Sequence, residues 1–71
     1  MKSILIVGAS GVLGHAAAEH FLGKGFRVTA LARTPGRISD LAARGARVVQ
    51  GDLTDPSTLS PALDGVDIVL T

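Results

Sequence analysis

Gly8, Gly11 and Gly14 recur at intervals of three in the stretch VGASGVLG, directly after the apolar run Ile4 to Val7. A backbone that holds a phosphate needs close approach, converging N–H groups and a helix start whose dipole favours negative charge. Glycine permits all three. Gly8 allows a sharp turn off a strand, Gly11 removes a Cβ where a pyrophosphate would press, and Gly14 lets the following helix pack near the strand. The candidate cradle is therefore Gly8, Ala9, Ser10, Gly11, Val12, Leu13 and Gly14. A P-loop is excluded, because the Gly-Lys-Ser/Thr ending is missing.

A second group of residues bears on which phosphate. Five arginines (Arg27, Arg33, Arg37, Arg44 and Arg47) lie in one stretch with a single acid, Asp40. They read either as a solvated helix face or as a site for an anion. Dinucleotide sites that take NAD place an Asp or Glu about 20 residues after the glycines, where it accepts from the ribose 2′-hydroxyl. Counting 18 residues from Gly14 reaches Ala32, and Arg33 follows. An acid there would repel a 2′-phosphate, whereas arginine pairs with it through charge-assisted bonds. The spacing thus favours NADP(H) over NAD(H), with Thr34 and Arg37 as second contacts.

The other candidate acid/base groups are few. His15 and His20 are five residues apart, which on a helix separates them by about 140°, so they share neither a metal nor a substrate. His15 follows Gly14 and could add positive charge near a pyrophosphate; His20 reads as exposed. Glu19 stands alone, so no paired-carboxylate site is visible. No catalytic residue and no metal ligand is assigned.

These residues need a scaffold. Short apolar runs at Ile4 to Val7, Val28 to Leu31, Val48 to Val49 and Val66 to Leu70 have the composition of buried parallel strands. Helical segments fit between them. Val12 to Lys24 carries an apolar stripe of Leu13, Ala17 and Phe21, flanked by Gly14, Ala18 and Leu22, that can lie on a sheet, and Gly25 stops it. A second helix fits Ile38 to Arg44, stopped by Gly45. A third starts with Asp55 as N-cap and Pro56 at its first position, and Pro61 makes it short, kinked or restarted at Ser60. The alternation predicts an α/β fold of βαβ units. Right-handed crossovers order four parallel strands 3-2-1-4, with two helices on one face and the third on the other.

The stretches VGASGVLG, ALARTPGR, GDLTDPSTL and GVDIVL together resemble the N-terminal part of an extended or atypical short-chain dehydrogenase/reductase, above all the NmrA-like NAD(P)-binding group. The resemblance covers nearly the whole chain. It implies a Rossmann-type fold, and roles for Asp52 as acceptor from the adenine amino group and for the backbone of Leu53 at the ring edge. Asp52 could equally do no more than order its turn. The carbonyl-reducing members of such families use a Tyr-x-x-x-Lys pair, and this chain contains no tyrosine. The resemblance therefore implies the dinucleotide-binding portion of an oxidoreductase-like protein whose catalytic part lies elsewhere. The alternatives are a non-catalytic NmrA-like redox sensor, or part of a nucleotide-sugar epimerase or dehydratase, which fits Ala32 and Arg33 less well.

Composition bounds the rest. A chain of 71 residues is one unit at most, and without cysteine it has no disulfide to reinforce a thin core. A net charge of +1 gives no case for nucleic acid, and no stretch approaches the roughly 20 apolar residues of a membrane span. A cytoplasmic location is expected. The run VDIVLT ends the sequence where a parallel strand expects cover and a further neighbour. Residues 1–71 are accordingly expected to be the incomplete N-terminal portion of a larger NAD(P)-binding domain, with the exposed fourth-strand edge open to an oligomer or partner contact. Nothing in the residues names a substrate.

Overall fold

Each apolar run forms a strand, and each intervening segment supplies the helix that covers it. The computed structural model describes residues 2–9, 11–51 and 54–70. Its elements are β1 (Ser3–Val7), α1 (Val12–Gly23), β2 (Arg27–Ala32), a 3₁₀ turn (Pro35–Ile38) running into α2 (Ser39–Ala43), β3 (Arg47–Gln50), α3 (Pro56–Leu63) and β4 (Ile68–Leu70). The sheet order is β3-β2-β1-β4, and all of its pairings are parallel. This is the doubly wound, Rossmann-type arrangement.

Alternation along the strands sends side chains to two apolar layers. Ile4, Ile6, Val28 and Ala30 join Ala18 of α1 and Leu41 of α2 on one face, with Ala17, Phe21 and Leu22 packed against them. Leu5 and Leu31 meet Ala62 on the other face, with Leu59 of α3 beside them. Burying one such aliphatic side chain stabilises the fold by about 1.5–3 kcal/mol. Ile4, Leu5, Ile6, Val28, Ile38 and Leu41 are the largest fully buried side chains.

The helix ends follow local chemistry. Gly25 takes a φ of +83° and Gly45 a φ of +104°, values that cost a Cβ-bearing residue strain. In α1 the Phe26 N–H donates to the Phe21 carbonyl at 3.0 Å and the Gly25 N–H to Leu22 at 3.1 Å. Phe21 and Phe26 also stack edge-on with centroids 5.0 Å apart, which completes a Schellman stop. At α3 the Asp55 carboxylate accepts from the Ser57 N–H at 3.1 Å, Pro56 fills the first turn, and the helix runs through Pro61 to end after eight residues. The expected cap is present and the helix is short rather than restarted.

Two expectations need correction. Leu13 does not belong to the stripe that covers the sheet: it is 87% exposed, as is Val12. The buried stripe is rotated toward Ala18, because Gly14 is where α1 touches the end of β1 and the residues before it stand beyond the sheet. The second helix is not one α-helix from Ile38, since a 3₁₀ turn precedes it and α2 proper begins at Ser39.

The far end of the sheet is laced by polar groups. The Ser3 N–H donates to the Asp67 carboxylate at 2.9 Å, the Ser3 hydroxyl donates to the Gly65 carbonyl at 2.5 Å, and the Asp67 N–H donates to the Ser3 carbonyl at 3.1 Å. These bonds fix where β4 joins β1.

Candidate functional site

The strand register sets the site. Val7 of β1 lies beside Leu31 of β2, and Leu31 lies beside Val49 of β3. The three strands thus end at one level. The residues that follow them, Gly8, Arg33 and Gly51, lie along the carboxyl edge of the sheet, where open α/β sheets bind ligands. The Gly51 N–H donates to the Ala32 carbonyl at 3.0 Å, closing that edge between β2 and β3.

At the centre of the edge the chain turns sharply. Gly8 has a φ of +78°, and the Gly11 N–H returns to the Gly8 carbonyl at 2.9 Å. The first helical bond of α1 runs from the His15 N–H to the Gly11 carbonyl at 2.8 Å. Gly11 is the N-cap and has no side chain with which to cap the first turn, which carries no acid. That leaves a helix start suited to a negative group.

The glycines divide the work. A Cβ on Gly14 would overlap the Gly8 carbonyl, lying 2.8 Å from its carbon and 3.1 Å from Ala9 Cα, so Gly14 sets the contact of helix with strand. A Cβ on Gly11 would stand 3.3 Å from the Gly8 oxygen, a tight but tolerable approach. Ala9 is fully buried, so it shapes the turn from beneath. Val12 and Leu13 present their side chains to solvent. A helix start with no side-chain cap and no acid in its first turn, set beside the sharp turn at Gly8, fits a negative group such as a pyrophosphate. Ser10, Asp52 and Leu53 lie outside the described residues.

Arg33 and Thr34 leave the end of β2, and Arg37 lies in the 3₁₀ turn; all three are exposed. Ile38, fully buried, anchors the turn. The register therefore starts the segment from Arg33 at the level of the glycine turn, and the 3₁₀ turn that carries Arg37 packs against β3 and α2.

Sequence reasoning missed a charge cluster flanking this edge. His15 Nε2 lies 2.7 Å from Asp40 Oδ2, His15 Nδ1 lies 3.0 Å from Glu19 Oε1, and Glu19 Oε2 accepts from Arg44 Nη1 at 2.9 Å. Glu19 does not stand alone. The spacing of His15 and Glu19, one helical turn apart, was the available signal; Asp40 is far along the chain and carried none. The hydrogen bond to Asp40 raises His15 above its ordinary 6.5, and the same bond holds Asp40 below 3.8. Among the described residues no group of three or more His, Cys, Asp or Glu could hold a metal ion. No helix among them is long and apolar enough to cross a membrane.

A sequence profile described as NAD(P)H-binding matches residues 8–71. The chain belongs to this NAD(P)H-binding family. Its relatives include the 2-alkyl-3-oxoalkanoate reductase of Shewanella oneidensis, 42% identical over 90% of this chain and 16% of the reductase. The photosystem II assembly factor Ycf39 of Cyanophora paradoxa is 37% identical over 96% of this chain and 21% of that protein. A short-chain dehydrogenase from Sphingobium yanoikuyae, solved in complex with NADPH, superposes with a TM-score of 0.81 at 29% identity, covering 97% of this chain and 32% of that one. The chain thus spans about a fifth of the length of such curated relatives. Family membership and the fold together identify an NAD(P)H-binding unit of the kind found in oxidoreductase-like proteins.

Proposed function

We propose that this chain binds NADP(H) in preference to NAD(H), as the dinucleotide-binding portion of an NmrA-like oxidoreductase whose reacting groups lie outside residues 1–71. The observation that carries the reading is the register of Val7 with Leu31, which sets Ala32 and Arg33 next to the glycine turn with no acid between them. Gly8, Ala9, Ser10, Gly11, Val12, Leu13 and Gly14 form the cradle that receives the pyrophosphate, through the first-turn N–H groups of α1 and the α1 dipole. Arg33, with Thr34 and Arg37, pairs with the 2′-phosphate, and Asp52 and Leu53 meet the adenine.

One charge-assisted bond contributes roughly 1.5–3 kcal/mol, equivalent to about a 10-fold to 150-fold preference. When bound, the nicotinamide supplies hydride chemistry. This chain's residues hold the cofactor and orient it, and no tyrosine is present to move a proton. A second reading, a dinucleotide-binding regulator without turnover, is favoured by the assembly factors among the relatives.

The experiment is calorimetric titration of the full chain with NADPH and NADH, repeated on Arg33→Ala. A loss confined largely to NADPH supports the 2′-phosphate reading; equal losses for the two cofactors would sink it.

A further inference from the structure

His15 sits between two carboxylates, one facing each ring nitrogen: Asp40 at 2.7 Å on Nε2 and Glu19 at 3.0 Å on Nδ1. A carboxylate only accepts, and a neutral imidazole carries a single N–H. Both contacts are therefore satisfied at once only by the imidazolium. Loss of one proton turns a ring lone pair toward one carboxylate oxygen, and the bond that remains to the other no longer pairs opposite charges, so the tie to Asp40 weakens whichever nitrogen keeps its proton.

The link to Glu19 lies within α1, and the link to Asp40 joins α1 to α2. His15 follows Gly14 in the first turns of α1, and its own N–H bonds the cradle residue Gly11 at 2.8 Å. Asp40 lies in the first turn of α2, directly after the 3₁₀ turn that contains Arg37. Arg44, at the far end of α2, grips Glu19 of α1 at 2.9 Å, so α2 is held to α1 at both of its ends. Among the described residues, Asp40 and Glu19 act on the charge of His15, with Arg44 behind Glu19.

We propose that His15 is a positioning residue: its imidazolium ties α2 to the glycine turn and so holds the Arg33 to Arg37 segment in register with the 2′-phosphate, making NADPH affinity proton-linked. The inference rests on the 2′-phosphate reading given above. It goes beyond that reading in assigning a regulatory proton to a side chain that does not touch the cofactor. The site is exposed, so the coupling is modest, about a 2- to 5-fold change in affinity.

The test is the pH profile of NADPH and NADH binding to the full chain between pH 7 and 9, where the 2′-phosphate, with its second pKa near 6, stays ionised. NADPH affinity is expected to fall by about 2- to 5-fold as pH rises through the raised His15 value, NADH affinity to change less, and the NADPH slope to flatten in His15→Gln and in Asp40→Asn. Circular dichroism checks that both variants are folded. A slope unchanged in both variants overturns the proposal. Equal slopes for NADPH and NADH overturn it too, because they would assign the proton to a through-space field on the shared pyrophosphate. Failure of the underlying reading is separate: NADPH and NADH would then bind equally well, or not at all, at every pH.

Discussion

Gly14 rests directly on the carbonyl of Gly8, so closely that a Cβ at Gly14 would lie 2.8 Å from the Gly8 carbonyl carbon. The point where α1 leaves the end of β1 is thus set by the absence of one carbon atom. Helix start and phosphate cradle depend on the same contact.

Gly14→Ala is expected to cost about 1–3 kcal/mol of stability, because backbone rather than a flexible side chain must move. Gly11→Ala meets a smaller obstacle: its Cβ would stand a tight 3.3 Å from the Gly8 oxygen, and its φ is −79°. Gly11→Ala should remain within about 1 kcal/mol of the parent while weakening NADPH binding. Urea denaturation of both variants, with titration of the second, checks the distinction.

Stability should depend on pH through the His15–Asp40 pair. His15 is raised above 6.5 by its bond to Asp40, so its contribution is complete below pH 6.5 and disappears as pH rises through the raised value. Asp40 is lowered below 3.8, so its contribution is complete above pH 3.8 and disappears as pH falls through the lowered value. Thermal melts of the parent should decline above pH 6.5 relative to those of His15→Gln, and parallel curves would count against the pair.

Ser3→Ala removes the donor to the Gly65 carbonyl and one of two groups that approach the Asp67 carboxylate. The expected cost is about 1–2 kcal/mol. Because the lacing lies at the opposite edge from the glycine turn, NADPH affinity of the folded variant should match the parent. A chemical denaturation curve and a titration decide both points.

Asp55→Ala should cost about 1 kcal/mol. It removes an acceptor used by both the Ser57 N–H, at 3.1 Å, and the Ser57 hydroxyl, at 2.7 Å. Asp55→Ser, which keeps a capping oxygen, should recover most of the loss in the same denaturation assay.

The sequence by itself determined the strands, the segments that turn helical between them and their order, because each rests on local chemistry: β-branched apolar runs, Gly25 and Gly45 in left-handed stops, the Asp55-Pro56 start, and Gly8 and Gly14 around one turn. The strand order followed from the handedness of short crossovers, and the observed β3-β2-β1-β4 sheet agrees. Only the tertiary structure decided what depends on how a helix is rotated and how far it overhangs the sheet. Leu13 has the spacing of a core residue yet stands 87% exposed, since the contact at Gly14 puts the first turn of α1 past the strand ends. His15 and Asp40 are 25 residues apart and meet at 2.7 Å. No periodicity encodes that meeting: it arises because α1 and α2 pack on the same face of the sheet, which brings two polar edges together once the apolar stripes are buried.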